Sequence, residues 1–399
     1  MQLPSRDLPF EVPKYSLTGD VLSYQRCGLQ YRYYSRSSLP PSRPVQLWTG
    51  EFVHGVLEEA FLHWQLHQPP FPWPSNPTPW PPDPPIQNRL PNDIGCFGDS
   101  VESRLRASGK SPRNRAARSA AYRRVEAGIN LLAPHLFPLI TTVEEKLGST
   151  RPMPNVQAPA GQNLRGDRYE LTGIVDVISN VSLTAQANNP LVEMLNTQIP
   201  GLFGNFDVIV DYKAARRPPM TPSPSSKPYW QHEAWQVQTY AWLRRQQPNT
   251  NPVRAGVLIY VSELSPSSTD LIELKREISQ GRTDVIPSSG SADYYALNTW
   301  QDGQGQTPTF TPEFLLQRAI RIVPVDDQAV DQAVAEIDNV ISQIESCALH
   351  ENAAGTIPGN WNADGGANDC DACDFRRFCP SPAQTRGTGQ APAPPEAPG

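Results

Sequence analysis

An α/β fold built on a mixed sheet is what the sequence predicts, and three observations carry that prediction. Runs rich in β-branched residues alternate with segments of helical periodicity. The 399 residues leave room for one large domain with insertions or for two average ones. The 44 prolines and the polar stretches around them account for an apolar fraction of only 38%, so the chain can still bury a sizeable core.

In chain order, residues 1–15 are polar and proline-punctuated, unlike a signal peptide. No run of eighteen apolar residues follows, so the sequence reads as soluble, unexported and cytoplasmic, with no membrane partner. Residues 50–64 place Phe52, Val56, Ala60 and Trp64, with Val53, Leu57 and Phe61, on one helical stripe. Residues 69–91 are too proline-rich for helix or central strand and read as a loop or an inserted arm. Residues 143–147, 169–178, 206–213, 255–261 and 271–278 read as strands. Residues 182–204 form an inserted polar loop between the second and third of these. Residues 231–245 and 326–349 read as helices, the second with Val330, Ala333, Ile337, Val340, Ile344 and Cys347 along its apolar face. Residues 280–311 and the tail from Pro380 onward are rich in Gly, Ser, Pro, Gln and Ala, which bury too little to offset the entropy of ordering. No repeat of solenoid spacing occurs.

The formal charge of −6 speaks mildly against a nucleic-acid partner, because phosphate contacts need Lys and Arg. The local distribution differs. Arg104, Arg106, Lys110, Arg113, Arg115, Arg118, Arg123 and Arg124 follow one another with no acid among them. Either they contact a nucleic-acid backbone, with Arg115, Arg118, Arg123 and Arg124 the candidate DNA-binding residues, or they are a solvated helix face.

Two predicted strands carry carboxylates where apolar residues would be cheaper. Gly173-Ile174-Val175-Asp176 sets an Asp in an apolar strand, and Val208-Ile209-Val210-Asp211-Tyr212-Lys213 ends in Asp-x-Lys. Strand alternation puts Asp211 and Lys213 on one face. An acid inside an apolar strand is costly unless paired or metal-bound, although a strand-edge carboxylate is the plainer reading of Asp176 alone. Upstream, Gly50-x-x-x-His54-x-x-x-Glu58 puts an imidazole and a carboxylate one helical turn apart, and downstream Gln236-x-x-x-Tyr240 repeats that spacing. A further acid stands on a neighbouring strand, either Glu145 or the adjacent Glu144.

The series G-x-x-x-H-x-x-x-E, GxxD, D-x-K and Q-x-x-x-Y resembles that of the RecB-like branch of the PD-(D/E)xK nucleases, over roughly residues 15–380. The resemblance implies a restriction-endonuclease-like mixed β-sheet flanked by helices. It implies one nuclease domain over residues 1–380 with the Pro-rich insertion at 69–91, and a disordered tail at 381–399. It also implies that His54, Asp176, Asp211 and the Tyr212 carbonyl ligate Mg²⁺ or Mn²⁺. Lys213 would then orient the attacking water, and Gln236 and Tyr240 would support the site and contact DNA. Asp211 stands where Glu is commoner in that family.

Cys370, Cys373 and Cys379 bring three thiols within ten residues, and a closed metal site wants four. Cys27, in an aromatic-rich segment ahead of the first motif, is the natural fourth donor. Cys347 falls on a helix stripe and reads as core, and Cys96 falls in a Gly-flanked loop. The four-cysteine set resembles the [4Fe–4S] ligands of RecB-like iron–sulfur nucleases, in which N- and C-terminal segments meet at the cluster. Zinc is the rival metal, and free structural thiols are the third reading.

The resemblance thus implies a metal-dependent deoxyribonuclease, an exonuclease on single strands or DNA ends, serving recombination, repair or CRISPR adaptation. Ser108-Gly109-Lys110-Ser111 lacks the glycine a Walker A loop needs, so unwinding would fall to a partner helicase, while adaptation would call for an integrase partner. The alternatives are a non-catalytic DNA-binding scaffold of the same fold with a structural iron–sulfur or zinc site, and an electron-transfer protein. The presence of Asp176, Asp211 and Lys213 argues against the first, and the absence of a flavin or nucleotide motif against the second.

Overall fold

The computed structural model describes residues 11–36, 45–79, 88–221, 229–303, 306–357, 359–366, 369–370, 373–376 and 379. The chain forms two compact units. One comprises Met1–Ser42, Arg151–Tyr169 and Ile337–Gly399; the other comprises Arg43–Thr150 and Glu170–Glu336. The elements in chain order are β1 (Lys14–Ser16), α1 (Leu22–Arg26), α2 (Gly28–Arg36), α3 (Val45–His67), α4 (Ile94–Ala107), α5 (Arg115–Ala127) and α6 (Ala133–Leu136). There follow β2 (Ile140–Pro152), β3 (Arg168–Ser182), α7 (Pro190–Gln198), β4 (Asn205–Lys213), α8 (Tyr229–Arg245) and β5 (Val253–Tyr260). The last are α9 (Ser268–Ser279), α10 (Ala292–Thr299), α11 (Pro312–Ala319), β6 (Ile320–Pro324) and α12 (Asp327–Ala354).

The larger unit is organised by a mixed sheet in the order β3, β4, β5, β6, with β2 also paired to β3. β4 runs antiparallel to β3 and parallel to β5, and β6 returns antiparallel to β5. The parallel step needs a crossover, and α8 supplies it. The strand Phe206–Tyr212 is buried along its whole length, as a strand covered on both faces must be. Val208 and Val210 pack with Phe52, Val56 and Leu57 of α3 in the main core, each such side chain contributing roughly 1.5–3 kcal/mol on burial. Two glycines let α8 lie close to the sheet. A Cβ at Gly256 would collide with Val237, and one at Gly173 would stand 2.6 Å from Tyr240 Cε1. The Gly of the GxxD motif is therefore the hollow that receives the Tyr of the Q-x-x-x-Y motif.

The smaller unit buries Leu17, Val21, Ile337, Ile341 and Ile344, and charged and aromatic staples join its three segments. Arg165 forks onto Glu345 at 3.1 Å and donates to Tyr15 Oη at 2.9 Å, while Tyr169 and Arg151 share Asp338. Arg32 and Trp361 Nε1 both bind Glu351, with Tyr24, Tyr31 and Trp361 forming an aromatic trio.

Several elements differ from the sequence reading. Residues 271–278, expected as a strand, are the body of α9. Leu271, Leu274 and Ile278 recur at helical spacing, and Ser267 with Asp270 forms a capping box that starts the helix. Residues 280–311, expected to lack order, contain α10 and feed Leu297, Trp300 and Phe310 into a second core with Leu271, Leu274 and Phe314. The polar loop at 182–204 contains α7, begun by the Asn189 cap and Pro190. Cys96, expected in a loop, lies in the first turn of α4, which Asp93 caps. The short strand β6 was not foreseen. The Pro-rich stretch is irregular where described, as expected, yet Trp73 is buried in the main core and its N–H donates to Asn130. The expected disordered tail, 381–399, lies outside the described residues. Among the described residues no helix is long and apolar enough to cross a membrane.

Candidate active site

The site lies in the larger unit, and each of its side chains has a structural reason for its place. Asp211 and Lys213 alternate onto one face at the end of β4. Asp176 stands on the neighbouring β3, next to the Val177–Val210 pair. α3 presents His54, β2 presents Glu144, and α8 presents Gln236 and Tyr240 one turn apart.

Lys213 Nζ lies 2.6 Å from Asp211 Oδ2 and donates to Gln236 Oε1 at 2.8 Å. Gln236 Nε2 donates in turn to Asp211 Oδ1 at 3.1 Å and to Tyr240 Oη at 3.3 Å. The Tyr212 N–H donates to Asp176 Oδ2 at 2.8 Å. His54 bridges these groups, with Nε2 2.8 Å from the Tyr212 carbonyl oxygen and Nδ1 3.4 Å from Asp176 Oδ1.

The electrostatics record crowded negative charge. Burial alone would lower the His54 pKa, but Asp176 foremost, then Asp211 and the Tyr212 carbonyl, raise it to about 9. The surrounding oxygens thus favour the protonated ring, and a cation held by either nitrogen would displace that nitrogen's proton. Burial, Asp176 and Glu58 push the Glu144 carboxyl up to about 7 against the pull of His54. Burial and Asp176 likewise push Asp211 upward, with Lys213 opposing. Burial first, and anionic neighbours after it, disfavour the ionised carboxylates here, and a divalent cation would offset that cost.

His54, Glu144 and Asp176 each offer a ligand atom, and these atoms all lie within 4.8 Å of one another. The donor set, one imidazole and two carboxylates, suits a hard divalent ion, so these residues fit the expected metal. The sequence reading names His54 and Asp176 as ligands and leaves the additional acid open between Glu145 and Glu144; the structure places Glu144 in the trio. Glu145 is engaged elsewhere, accepting from Thr142 Oγ1 at 2.6 Å and pairing with Arg244 at 3.1 Å. Glu144 has a left-handed backbone (φ 50°) that no sequence pattern announces, a conformation costing a non-glycine residue roughly 1–3 kcal/mol. Asp211 is brought beside this trio but is held by Lys213 and Gln236, while the Tyr212 carbonyl faces His54.

The basic run divides. Arg104 pairs with Glu59, Arg106 with Glu102, Lys110 with Glu51 and Arg124 with Asp270. Arg118 is 7% exposed; its Nε donates to Glu102 at 2.7 Å and its guanidinium covers the Tyr122 ring. It is therefore a structural residue of the α4–α5 contact, with no accessible face for DNA. Arg113, Arg115 and Arg123 are exposed.

In the smaller unit, Cys27, Cys370, Cys373 and Cys379 line a single cavity, together with Tyr33 and Phe375. None of them is in a disulfide. Gly365 makes room there, for a Cβ at that position would lie 3.2 Å from Cys370 Sγ and 3.5 Å from Cys27 Cβ. Four thiols border this space, but the ligand-spaced group of metal donors among the described residues is His54, Glu144 and Asp176 and does not include them. Cys347 stands apart, 3.6 Å from Tyr24 Oη.

Residues 204–380 match the family model of the PD-(D/E)XK nuclease superfamily. The match takes in Asp211, Lys213, Gln236, Tyr240 and three of the four clustered cysteines, while His54, Glu144 and Asp176 precede it. Among solved structures, the crystal structure of a protein named SSO0001 is similar at 12% identity, covering 70% of this chain and 80% of that one, with a TM-score of 0.21 that carries no argument about fold. No curated protein matches the sequence.

Proposed function

We propose that the protein is a divalent-metal-dependent deoxyribonuclease of the RecB-like branch, acting on single-stranded DNA or DNA ends. The observation that carries this reading is the placement of Asp211 and Lys213, at the end of one buried strand, beside the His54–Glu144–Asp176 trio. His54, Glu144 and Asp176 would hold Mg²⁺ or Mn²⁺, with Asp211 and the Tyr212 carbonyl next to them. Such an ion, when bound, polarises a phosphate and makes hydroxide available from water near neutral pH. Lys213 orients the attacking water and neutralises charge that develops on the phosphate oxygens. Gln236 fixes the lysine by accepting from its ammonium, and Tyr240 fixes Gln236. Arg113, Arg115 and Arg123 are the accessible cations for the DNA backbone.

The cysteine cavity supports a second part of the reading, a [4Fe–4S] cluster held by Cys27, Cys370, Cys373 and Cys379, with zinc as the competing metal. Its task is structural, since it ties residues far apart in sequence. The reading places the protein in recombination, repair or CRISPR adaptation, with a helicase or an integrase as partner. The test is cleavage of end-labelled single- and double-stranded DNA with Mg²⁺ or Mn²⁺, alongside iron, sulfide and zinc analysis of anaerobically purified protein. Metal-dependent cleavage with stoichiometric iron supports both parts. Absence of cleavage by folded, metal-loaded protein overturns the first, and stoichiometric zinc without iron overturns the second.

A further inference from the structure

A strained turn inside β2 is what brings Glu144 to His54 and Asp176. Glu144 has a φ of 50° and is exposed, so packing does not hold its conformation. A non-glycine residue stays in the left-handed region where its surroundings impose it. The break in the strand shows in the residues on either side. Side chains three apart face opposite ways in a regular strand, yet Thr142 Oγ1 donates to Glu145 Oε2 at 2.6 Å.

The restraint comes from the end of α8. Arg244 Nη1 donates to the other Glu145 oxygen, Oε1, at 3.1 Å, and Arg244 Nε donates to Asp207 Oδ2 on β4 at 3.1 Å. Asp207 is 2% exposed and accepts from the Asn180 and Asn251 amides through its second oxygen, so the guanidinium is anchored on the sheet. Three residues further along, Gln247 Nε2 donates to the Gly148 carbonyl of β2 at 3.1 Å. β2 is thus tied to α8 at two points just past Glu144, and stapled to itself across that residue by Thr142.

We infer that Arg244, anchored on Asp207, is a positioning residue for the metal site: by capturing Glu145 it fixes the turn that delivers the neighbouring Glu144 to the cation. Of two adjacent carboxylates, one is taken up by the guanidinium and the other is left to serve as a ligand. The inference rests on the reading of His54, Glu144 and Asp176 as a divalent-metal site and is independent of what the enzyme cleaves.

Glu145→Gln keeps the length of the side chain and an acceptor for Thr142, and removes the charge that Arg244 captures. Mn²⁺ binding to this variant, followed by electron paramagnetic resonance without DNA, should be about tenfold weaker than to the parent, as for loss of a group that orients a ligand. Arg244→Gln should weaken it similarly, and Arg244→Lys should recover part of the loss. In the metal-free protein, hydrogen exchange of the amides at 143–146 should quicken in Glu145→Gln. A role in general stability would act whatever stands at position 144. In a Glu144→Ala background, therefore, adding Glu145→Gln should weaken Mn²⁺ binding no further. Parental Mn²⁺ affinity in Glu145→Gln, or a full loss repeated in the Glu144→Ala background, overturns the inference. A parent that binds no Mn²⁺ overturns it together with the metal site, whereas a parent that binds Mn²⁺ and cleaves no DNA overturns the nuclease reading alone.

Discussion

The acid–lysine site and the cysteine cavity are built on opposite plans. The first is assembled from strands and helices around the main core, and its polar groups already satisfy one another: His54 spans Asp176 and the Tyr212 carbonyl, and Lys213 spans Asp211 and Gln236. The second gathers thiols from α1's end and from residues well after α12, where Cys370 Sγ contacts Gly365 O at 3.4 Å and Cys27 Sγ contacts Asn362 O at 3.9 Å, both weak thiol contacts to backbone. A site made by the fold keeps its shape without its ligand. A site made by loops depends on the ligand for that shape.

The largest effect that would break this contrast concerns chemistry. Asp211→Asn should leave the fold intact and reduce DNA cleavage by on the order of a thousandfold or more, because the metal and the oriented water act as a unit. Cleavage assays beside a melting curve check it, and cleavage at the parent rate would remove Asp211 from the mechanism. Cys370→Ser should do the reverse, abolishing bound iron and costing about 2–5 kcal/mol by analogy with lost cross-links. The loss should be visible as proteolysis within residues 355–379 while circular dichroism of the sheet persists. A variant as protease-resistant as the parent would show that the cavity does not need its ligand.

A smaller effect follows from the protons held at the acid–lysine site. Folding raises Glu144 from 4.5 to about 7 and His54 from 6.5 to about 9. In both cases the native state binds more protons than the unfolded chain across that interval, so the contribution to stability is full below the unfolded pKa and is lost as pH rises through the folded value. The metal-free protein should therefore melt at progressively lower temperature between pH 4.5 and 9, and Mn²⁺ should blunt the decline while binding more tightly at higher pH. A flat profile by calorimetry would mean the protons are not shared as described. The smallest effect sharpens the division within the basic run. Replacing Arg113, Arg115 and Arg123 by Gln should flatten the salt dependence of DNA binding with stability unchanged, whereas Arg118→Gln should cost about 1–3 kcal/mol by removing one of the two arginines on Glu102, Arg106 remaining.

What the sequence made legible was the buried strands and the motif side chains they aim. β4 reads directly because seven consecutive residues are buried and its acids interrupt an apolar run. α9 reads as a strand on composition, from its run of Leu and Ile residues, although the spacing of Leu271, Leu274 and Ile278 and the Ser267–Asp270 cap specify helix. Glu144 was hidden by a backbone turn within a strand, where alternation fails as a guide to direction. Arg118 looked like its basic neighbours, since nothing local announces that Glu102, on another helix, will neutralise it.

The smaller unit is drawn from three separated stretches, and this sets a timetable for its assembly. Roughly 340 residues are made between Cys27 and Cys370, a delay of roughly 17–70 seconds at common synthesis rates. During that interval Cys27 is without its companions, while the segments of the larger unit, which end at Glu336, are all made before Cys370. The larger unit can therefore mature first, and the thiol set is completed last, from a cysteine that has waited longest in contact with the cell's oxidants and metals.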